Sequence, residues 1–216
     1  NRKKEQDQWS KILHAKALGQ DVSYAHFIHT TDEILRQTAE QGGAMIWNPL
    51  SNGRLASGLP AIKDYLQRGI RVGLGVDGAA SADIADPFEN MRMGLYSLRM
   101  RAMSATVFSP IDILRMHTLG TAQALGVDDY VGSLEVGKLG DLLIVDLDQP
   151  VTGAIFDIPA TLVFSTSAAN VDSVIVGGEV RASRLKPLQH DMGALQSELV
   201  ERVAALVARQ QSAVTE

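Results

Sequence analysis

Residues 70–78 read IRVGLGVDG, an apolar run that ends in a carboxylate flanked by glycines. The apolar part is typical of a short strand that is buried on both faces of a parallel sheet. Two further runs have the same character, VSYAHFI at 22–28 and AMIW at 44–47, and helical patterns separate the three. Strands that recur roughly every 20–30 residues with helices between them predict βαβ units. A (β/α)8 barrel and a doubly wound α/β sheet both fit this pattern.

Capping residues predict where the helices begin. Thr30 and Glu33 have the spacing of a capping box, which closes the first turn of a helix. Asp86 precedes a proline and predicts the start of a longer helix, because a short acidic side chain caps the first amides and proline suits the first helical position. Ser109 precedes a proline in the same way, and we expect its helix to run towards Gly126.

The sequence changes character after about residue 130. Three short β-type runs at 142–145, 161–164 and 173–176 are separated by Gly, Pro and Asp. No helical pattern interrupts them, which predicts a small β subdomain. Apolar residues at helical spacing from 192 to 207 predict an amphipathic closing helix. The predicted organisation is an α/β portion over 1–130, a β subdomain over 131–185 and a C-terminal helix over 186–216.

The composition excludes several classes of protein. The 216 residues carry 20 Lys and Arg against 25 Asp and Glu, a net charge of −5, whereas nucleic-acid-binding domains normally carry a basic stripe. No apolar run approaches the roughly 18–20 residues of a membrane helix, so we expect no nucleic-acid or membrane partner and a cytoplasmic location. The absence of cysteine leaves His, Asp and Glu as metal ligands. The chain opens without Met, so Asn1 is not expected to be the native start.

Two polar side chains follow predicted strands at equivalent places. Asp77 comes at the end of the 70–76 run, and His26 lies near the end of the 22–28 run. The carboxyl ends of parallel strands hold the active site in α/β folds, so the pair predicts a catalytic or metal-binding site. For each residue taken alone, the alternatives are an Asp that caps the following turn and a buried His bonded to a backbone carbonyl.

One segment has the residue spacing of a phosphate-binding loop but lacks the residue and the helix that normally follow such a loop. Residues 132–138 read GSLEVGK, with the glycine and lysine spacing of a P-loop. Leu139 stands where a P-loop carries Ser or Thr for Mg²⁺, and a predicted strand rather than a helix follows. The residues therefore do not predict nucleotide binding.

Motifs in a fixed order resemble one family. They read AHFIHTTDEI at 25–34, WNPLSNGRLASG at 47–58, VGLGVDGAASADIADPFENMR at 72–92 and TLGTAQALGVDDYVGSLEVGKLGDLLIVDLD at 118–148. Together they resemble the metal-dependent amidohydrolase superfamily, in the branch of cytosine deaminases and chlorohydrolases. The resemblance implies the C-terminal part of a (β/α)8 TIM-like barrel, strands 6–8, followed by part of a small β-sandwich and a C-terminal helix.

The resemblance also implies roles for site residues. Asp77 matches the strand-8 Asp that ligates the metal, and His26 matches the strand-6 His that contacts the activated water or substrate, or itself ligates metal in binuclear relatives. Trp47, Asn52 and Ser81 lie in motif positions that are expected to bind substrate, with core packing the alternative for Trp47. Relatives often carry His in place of Trp47. The HxH pair of strand 1 and the strand-5 His and Glu have no counterpart here, so the resemblance implies a C-terminal portion of a longer protein.

The activity that the resemblance implies is hydrolysis of C–N bonds in cyclic amidines and N-heterocycles. The first expectation is an aminohydrolase that releases ammonia from a small heterocyclic substrate, using one divalent metal, Zn²⁺ or alternatively Fe²⁺, to activate water. The alternatives are a cyclic amide hydrolase or chlorohydrolase of the same superfamily, and a non-catalytic barrel scaffold. A homodimer is also compatible with the long amphipathic helices.

Overall fold

The computed structural model describes residues 2–214. Asn1, Thr215 and Glu216 lie outside this range. The expectation about the native start and the last two residues of the helical segment predicted over 186–216 therefore lie outside the described residues. Within the described chain, no helix is long and apolar enough to cross a membrane.

The chain forms two compact units, and each unit is built from two segments that are not contiguous in the sequence. The first contains the residues up to Leu139 together with Leu147–Asn170, and the second contains Gly140–Asp146 and the residues from Val171 onwards. The segment predicted as one β subdomain, 131–185, therefore contributes to both units.

A three-stranded parallel sheet organises the first unit, as the sequence predicted. Its strands are β1 (Ser23–Ala25), β2 (Ala44–Trp47) and β3 (Arg71–Leu74), in the order β1-β2-β3. In the sheet register, Ala25 is level with Ile46 and Ile46 with Gly73. The carboxyl ends of the three strands therefore meet at one edge.

Helices alternate with these strands along the chain. They are α1 (Arg2–His14), α2 (Asp32–Glu40), α3 (Pro49–Arg54), α4 (Ile62–Gln67), α5 (Ala79–Ala82), α6 (Pro87–Ala102), α7 (Pro110–His117), α8 (Leu119–Leu125) and α9 (Ile158–Phe164). The buried apolar core of the unit combines strand residues with residues of α6 and α7, and each such side chain contributes about 1.5–3 kcal/mol. Its members include Met45, Trp47, Val72, Leu74, Leu95, Leu98, Ile113 and Met116.

Two of the three predicted helix starts are confirmed and one is wrong by one residue. Asp86 caps α6, and Ser109 forms a capping box with Asp112 at the start of α7. The cap of α2 is Thr31, whose hydroxyl accepts from the Ile34 amide at 3.3 Å. The predicted capping box at Thr30 does not form, because the Thr30 hydroxyl pairs with the Tyr65 hydroxyl at 2.8 Å. Adjacent threonines offer the same cap chemistry, so the sequence alone could not choose between them.

The helix predicted to run from Ser109 towards Gly126 is divided at Thr118, where α7 ends and α8 begins. Close packing on the sheet accompanies the break. A Cβ at Gly120 would lie 2.8 Å from the Val72 carbonyl oxygen, and a Cβ at Gly73 would lie 2.7 Å from the Thr121 Cα. These two glycines let α8 approach β3 more closely than any side chain would permit.

The predicted strand at 161–164 is wrong, because these residues belong to α9. The Asp157 carboxylate accepts from the Ala160 amide at 3.0 Å and caps the helix. The Arg92 guanidinium of α6 donates to the carbonyls of Val163 and Thr166. A short apolar run rich in β-branched residues has no periodicity of its own, so tertiary contacts decide its conformation.

The second unit contains an antiparallel sheet and a long helix. The strands are β4 (Leu142–Val145), β5 (Val171–Val176), β6 (Glu179–Ser183) and β7 (Lys186–Pro187), in that order across the sheet. The runs predicted at 142–145 and 173–176 are thus strands. The closing helix is confirmed as α10 (Met192–Val214), and its apolar residues Leu195, Leu199 and Val203 are exposed.

Replacing Asp86 by Ala is expected to lower the free energy of unfolding by about 1–3 kcal/mol. One carboxylate oxygen of Asp86 accepts from the Phe88 and Glu89 amides, and the other accepts from the Ala168 amide at 2.9 Å. The substitution leaves all three amides without this acceptor. Urea unfolding of the intact protein measures the change. Asp32→Ala is the control, since it removes an exposed ion pair with Arg68 and an acidic charge in the first turn of α2, each worth about 0–1 kcal/mol. Equal losses in the two variants would contradict the prediction.

Candidate active site

His26 leaves the sheet in a left-handed backbone conformation. Its φ is 64° and that of Phe27 is 45°, while the His26 amide still donates to the Ile46 carbonyl at 2.9 Å. Side-chain-bearing residues adopt such angles at a cost on the order of 1–3 kcal/mol each. The buried Tyr65 hydroxyl donates to the Phe27 carbonyl at 2.7 Å and pairs with the Thr30 hydroxyl at 2.8 Å. Tyr65 of α4 therefore stabilises the turn that carries His26.

Asp77 follows β3 and turns in the same way, with a φ of 63°. Its Oδ2 lies 3.6 Å from the His26 Nε2, and both side chains remain partly accessible. The distance is longer than an ordinary N–H···O hydrogen bond, so the two groups face each other across a narrow gap. The structure thus brings the two predicted residues together at the carboxyl edge of the sheet.

Neighbouring dipoles favour the ionised form of Asp77. The Ser51 hydroxyl has the largest influence in lowering the pKa of Asp77, followed by the Gly78 amide, which donates to Oδ1 at 2.9 Å. Burial raises the pKa by a smaller amount than these two groups lower it, and the His26 imidazole and the Ser81 hydroxyl lower it further. Ser51 Oγ is buried and makes no other hydrogen bond among the described residues. The carboxylate is charged at neutral pH.

The imidazole of His26 contacts two side-chain amides on its other side. Asn52 Nδ2 lies 2.9 Å from His26 Nδ1, and Asn48 Nδ2 lies 3.4 Å from the same atom. Both asparagines are buried, at 4% and 5% exposure. Asn52 was predicted to bind substrate, whereas the structure places its amide nitrogen against His26. Asn48 was not predicted, although it stands in the same WNPLSN motif.

A cavity of about 650 Å³ opens beside these groups within the first unit. His26, Asp77 and Ser81 line it, and Ser81 lies in α5, the short helix directly after Asp77. Aromatic and polar side chains complete the lining, among them Trp9, Tyr24, Phe27 and Ser51. Three of the five predicted site residues therefore share one cavity.

Trp47 is not brought to this cavity. Its side chain is fully buried, and a Cβ at Gly94 in α6 would lie 3.3 Å from its ring. The indole therefore packs between the sheet and α6. This placement favours the core alternative that the sequence left open.

His117 is the other histidine that contacts the sheet edge. Its Nδ1 lies 3.2 Å from the Leu74 carbonyl oxygen, and burial lowers the pKa of the imidazole below its ordinary value. Among the described residues, no group of three or more His, Asp or Glu could together hold a metal ion. The burial of His117 and its contact with the Leu74 carbonyl favour a structural role.

The stability of the protein is expected to depend on the charge of His117. A lowered pKa means that its contribution is fully present above the unfolded pKa of about 6.5 and is lost as the pH falls towards the folded pKa. The slope from this one proton is at most about 1.4 kcal/mol per pH unit. Denaturant unfolding between about pH 8 and pH 5 is expected to show a shallower loss for His117→Gln than for the wild type. Parallel curves would contradict this role.

The sequence is similar to members of one protein family. The sequence profile described as the Amidohydrolase family matches residues 7–181. A 5-methylthioadenosine/S-adenosylhomocysteine deaminase from Desulforudis audaxviator is 35% identical over 183 residues, which are 84% of this chain and 43% of that protein. An S-triazine hydrolase from Gordonia rubripertincta is 30% identical over 202 residues, covering 92% of this chain and 42% of that protein.

A solved structure is similar over nearly the whole chain. The adenosine deaminase from Xanthomonas campestris, determined with bound zinc, superimposes with a TM-score of 0.87 at 26% identity. The match covers 93% of this chain and 46% of that protein. The chain therefore spans less than half the length of each of these three proteins. The family profile and these relatives cover most of the chain, which therefore belongs to the amidohydrolase family.

Proposed function

We propose that the protein containing this chain is a metal-dependent aminohydrolase that cleaves a C–N bond of an N-heterocycle and releases ammonia. The observation that carries the proposal is the His26–Asp77 pair, whose Nε2 and Oδ2 face each other at 3.6 Å beside an open cavity. The deaminase relatives support the reaction class. The S-triazine hydrolase supports a broader set of heterocyclic substrates, so C–Cl cleavage or cyclic amide hydrolysis is the second candidate.

We propose that β1, β2 and β3 are strands 6, 7 and 8 of an eight-stranded barrel. Parallel order and similarity to less than half of each relative support this placement. The antiparallel strands β4–β7 would then belong to the small sandwich that accompanies the barrel. Five strands would come from the part of the protein that this chain does not cover.

The donor chemistry of the site fits a divalent metal, but the number of donors does not complete a site. Asp77 supplies an ionised carboxylate, and His26 supplies an imidazole. Catalytic zinc sites use three protein ligands, and the described residues offer no group of three. We therefore propose that Asp77 completes a site whose other ligands lie outside this chain. The alternative is that His26 is a further ligand. Zn²⁺ is the first expectation and Fe²⁺ the alternative.

The residues of this chain have separate tasks in the proposed reaction. A bound metal would supply a water molecule whose pKa is lowered towards 7. The Asp77 carboxylate is placed to accept a proton from the attacking water and to return it to the departing nitrogen. His26 is placed to stabilise the charge that develops on the attacking oxygen. Ser81 lines the cavity and offers a hydroxyl to the heterocycle.

The experiment is an ammonia-release assay with metal analysis on the intact protein. Adenine nucleosides that carry a 5′-thioether or 5′-deoxy group, an amino-s-triazine, a chloro-s-triazine and a cyclic amide serve as substrates. We expect ammonia release, loss of activity on chelation and recovery with zinc. Chloride release or ring opening without ammonia would favour the second candidate. Absence of both turnover and bound metal would favour a non-catalytic scaffold.

The cellular context rests on the sequence alone. The negative net charge of −5 argues against a nucleic-acid partner. We propose a cytoplasmic location and a homodimer as working hypotheses, which fractionation and light scattering of the intact protein test directly.

A further inference from the structure

Two buried carboxamides meet one nitrogen of the proposed catalytic histidine. Asn48 is the residue before α3 and Asn52 lies within it, so four residues of chain bring both amides to the same side of His26. Asn52 Nδ2 is 2.9 Å and Asn48 Nδ2 is 3.4 Å from Nδ1. No part of the proposed reaction uses these two contacts, and they concern the nitrogen that faces away from Asp77.

The packing around this contact leaves little freedom for Asn48. A Cβ at Gly75 would lie 2.5 Å from Asn48 Oδ1, so only glycine permits the present position of the amide. Nearby, the Asn90 amide donates to the Gly75 carbonyl at 2.9 Å and its oxygen accepts from the Leu50 amide at 3.2 Å. These contacts hold the end of β3 against the start of α3, which keeps the amide donors at the imidazole.

The orientation of the Asn52 amide follows from its two polar atoms. Turning the amide around would place its NH2 group where Oδ1 now lies, and Oδ1 is buried without a partner among the described residues. Buried donors without a partner are tolerated less well than buried carbonyl oxygens without one. The more stable orientation is therefore the one in which Asn52 donates to His26.

A donor at Nδ1 decides the protonation pattern of the ring. An amide nitrogen cannot accept a hydrogen bond, so Nδ1 must carry the lone pair, and the neutral ring then carries its proton at Nε2. The opposite side of the ring agrees with this assignment. Nε2 faces the Asp77 carboxylate at 3.6 Å, where an N–H is attracted and a second lone pair would be repelled.

We propose that Asn48 and Asn52 are positioning residues that hold His26 as the Nε2–H tautomer, so that the imidazole donates a hydrogen bond into the cavity and does not ligate the metal. The inference rests on the proposed function, in which His26 acts on the reacting oxygen. It settles one alternative within that function, because a nitrogen that carries a proton cannot bind a metal. Among the described residues, Asp77 then remains the single metal ligand of the proposed site.

The first test is the position of the proton on the His26 ring. The intact, zinc-loaded protein is labelled with ¹⁵N in the histidine rings and studied by NMR at about pH 8. Comparison with His26→Asn identifies the His26 signals. We expect a protonated Nε2 and an unprotonated Nδ1. A proton on Nδ1, or zinc bound directly to Nε2, overturns the proposal.

The second test changes the amide and follows the same signals. Asn52→Asp presents only acceptors to Nδ1, so we expect Nδ1 to become protonated. Because positioning partners of a metal site typically contribute about 10–100-fold, kcat is expected to fall by that factor with little change in KM and with unchanged zinc content. Loss of zinc in this variant would make His26 a ligand and would overturn the proposal.

Asn170→Asp is the matched control, since Asn170 is likewise a buried asparagine and its amide oxygen accepts from the Ser167 amide, a contact that the substitution keeps. We expect the control variant to leave the proton of His26 at Nε2. A shift of that proton in the control variant would show that Asn52→Asp also acts through general disruption of the structure, and would overturn the assignment of Asn52 as a positioning residue. Should Asn52→Asp not fold, the wild-type spectrum still decides the tautomer. The two proposals fail separately: a protein with the Nε2–H tautomer that releases no ammonia contradicts the proposed function and leaves the tautomer assignment standing.

Discussion

Asp77→Asn is expected to lower kcat of the intact protein by at least about 10³-fold. The amide keeps the size of the side chain and its hydrogen bond from Gly78, but it carries no charge for the metal and cannot accept the proton of the attacking water. Because the ionised carboxylate is expected to serve both purposes, its loss removes both at once. Initial rates of ammonia release, with zinc content measured on the same samples, give the result.

The control for Asp77→Asn is the same change at Asp83, an exposed carboxylate in the following turn that pairs with Arg54. We expect Asp83→Asn to keep nearly the full rate, since a surface ion pair contributes little. Turnover by Asp77→Asn above a few per cent of the wild-type rate, with normal zinc content, would exclude the proposed proton transfer by Asp77.

His26→Asn is expected to lower kcat by about 10²–10³-fold, the usual effect of removing one donor to a developing oxyanion. Asparagine suits this position because it tolerates the left-handed conformation, with φ at 64°, while its shorter side chain does not reach the gap beside Asp77. We expect zinc content to stay normal. Rates and zinc content of the purified variant check both parts of the prediction.

His14→Asn serves as the control for His26→Asn, because His14 is exposed near the end of α1. It is expected to leave the rate unchanged. A rate for His26→Asn within threefold of the wild type would remove His26 from the chemistry. Combined loss of zinc and rate would instead assign it to the metal, against the tautomer inferred from Asn48 and Asn52.

The sequence predicted the strands more reliably than their ends. The apolar run at 44–47 is β2 at both boundaries, whereas the run at 22–28 yields only Ser23–Ala25. The chain leaves the sheet early because His26 and Phe27 adopt positive φ angles. Hydrophobic pattern carries no information about such turns when the residues involved are not glycine.

Local chemistry explains which helix predictions were right. Asp86 and Ser109 are each followed by proline, and this combination of cap and fixed φ suits the first turn of a helix. The segment that forms α9 begins with a similar combination, Asp157 as the cap and Pro159 in the first turn, but the strand prediction rested on the apolar run at 161–164 alone. The Arg92 guanidinium also contacts this helix. This contact joins residues 71 positions apart, beyond the reach of any local pattern.

The pairing of His26 with Asp77 was predictable because parallel strands end at the same edge of a sheet. Two polar residues at equivalent strand ends must then lie near each other, whatever the side chains between them do. Trp47 shows the limit of this reasoning. A large side chain at the end of β2 can point to the cavity or to α6, and only the packing against Gly94 decided for the core.

By itself, the sequence determined the parallel α/β architecture, the family and the two residues at the carboxyl edge, because these follow from periodicity, from strand direction and from motifs that are contiguous in the chain. Tertiary structure alone decided that Asn48 and Asn52 contact the far nitrogen of His26, that Ser51 acts on Asp77, and that Trp47 lies in the core. These contacts depend on side-chain directions and distances of a few ångströms between segments that are far apart in the chain. No pattern within one segment specifies them.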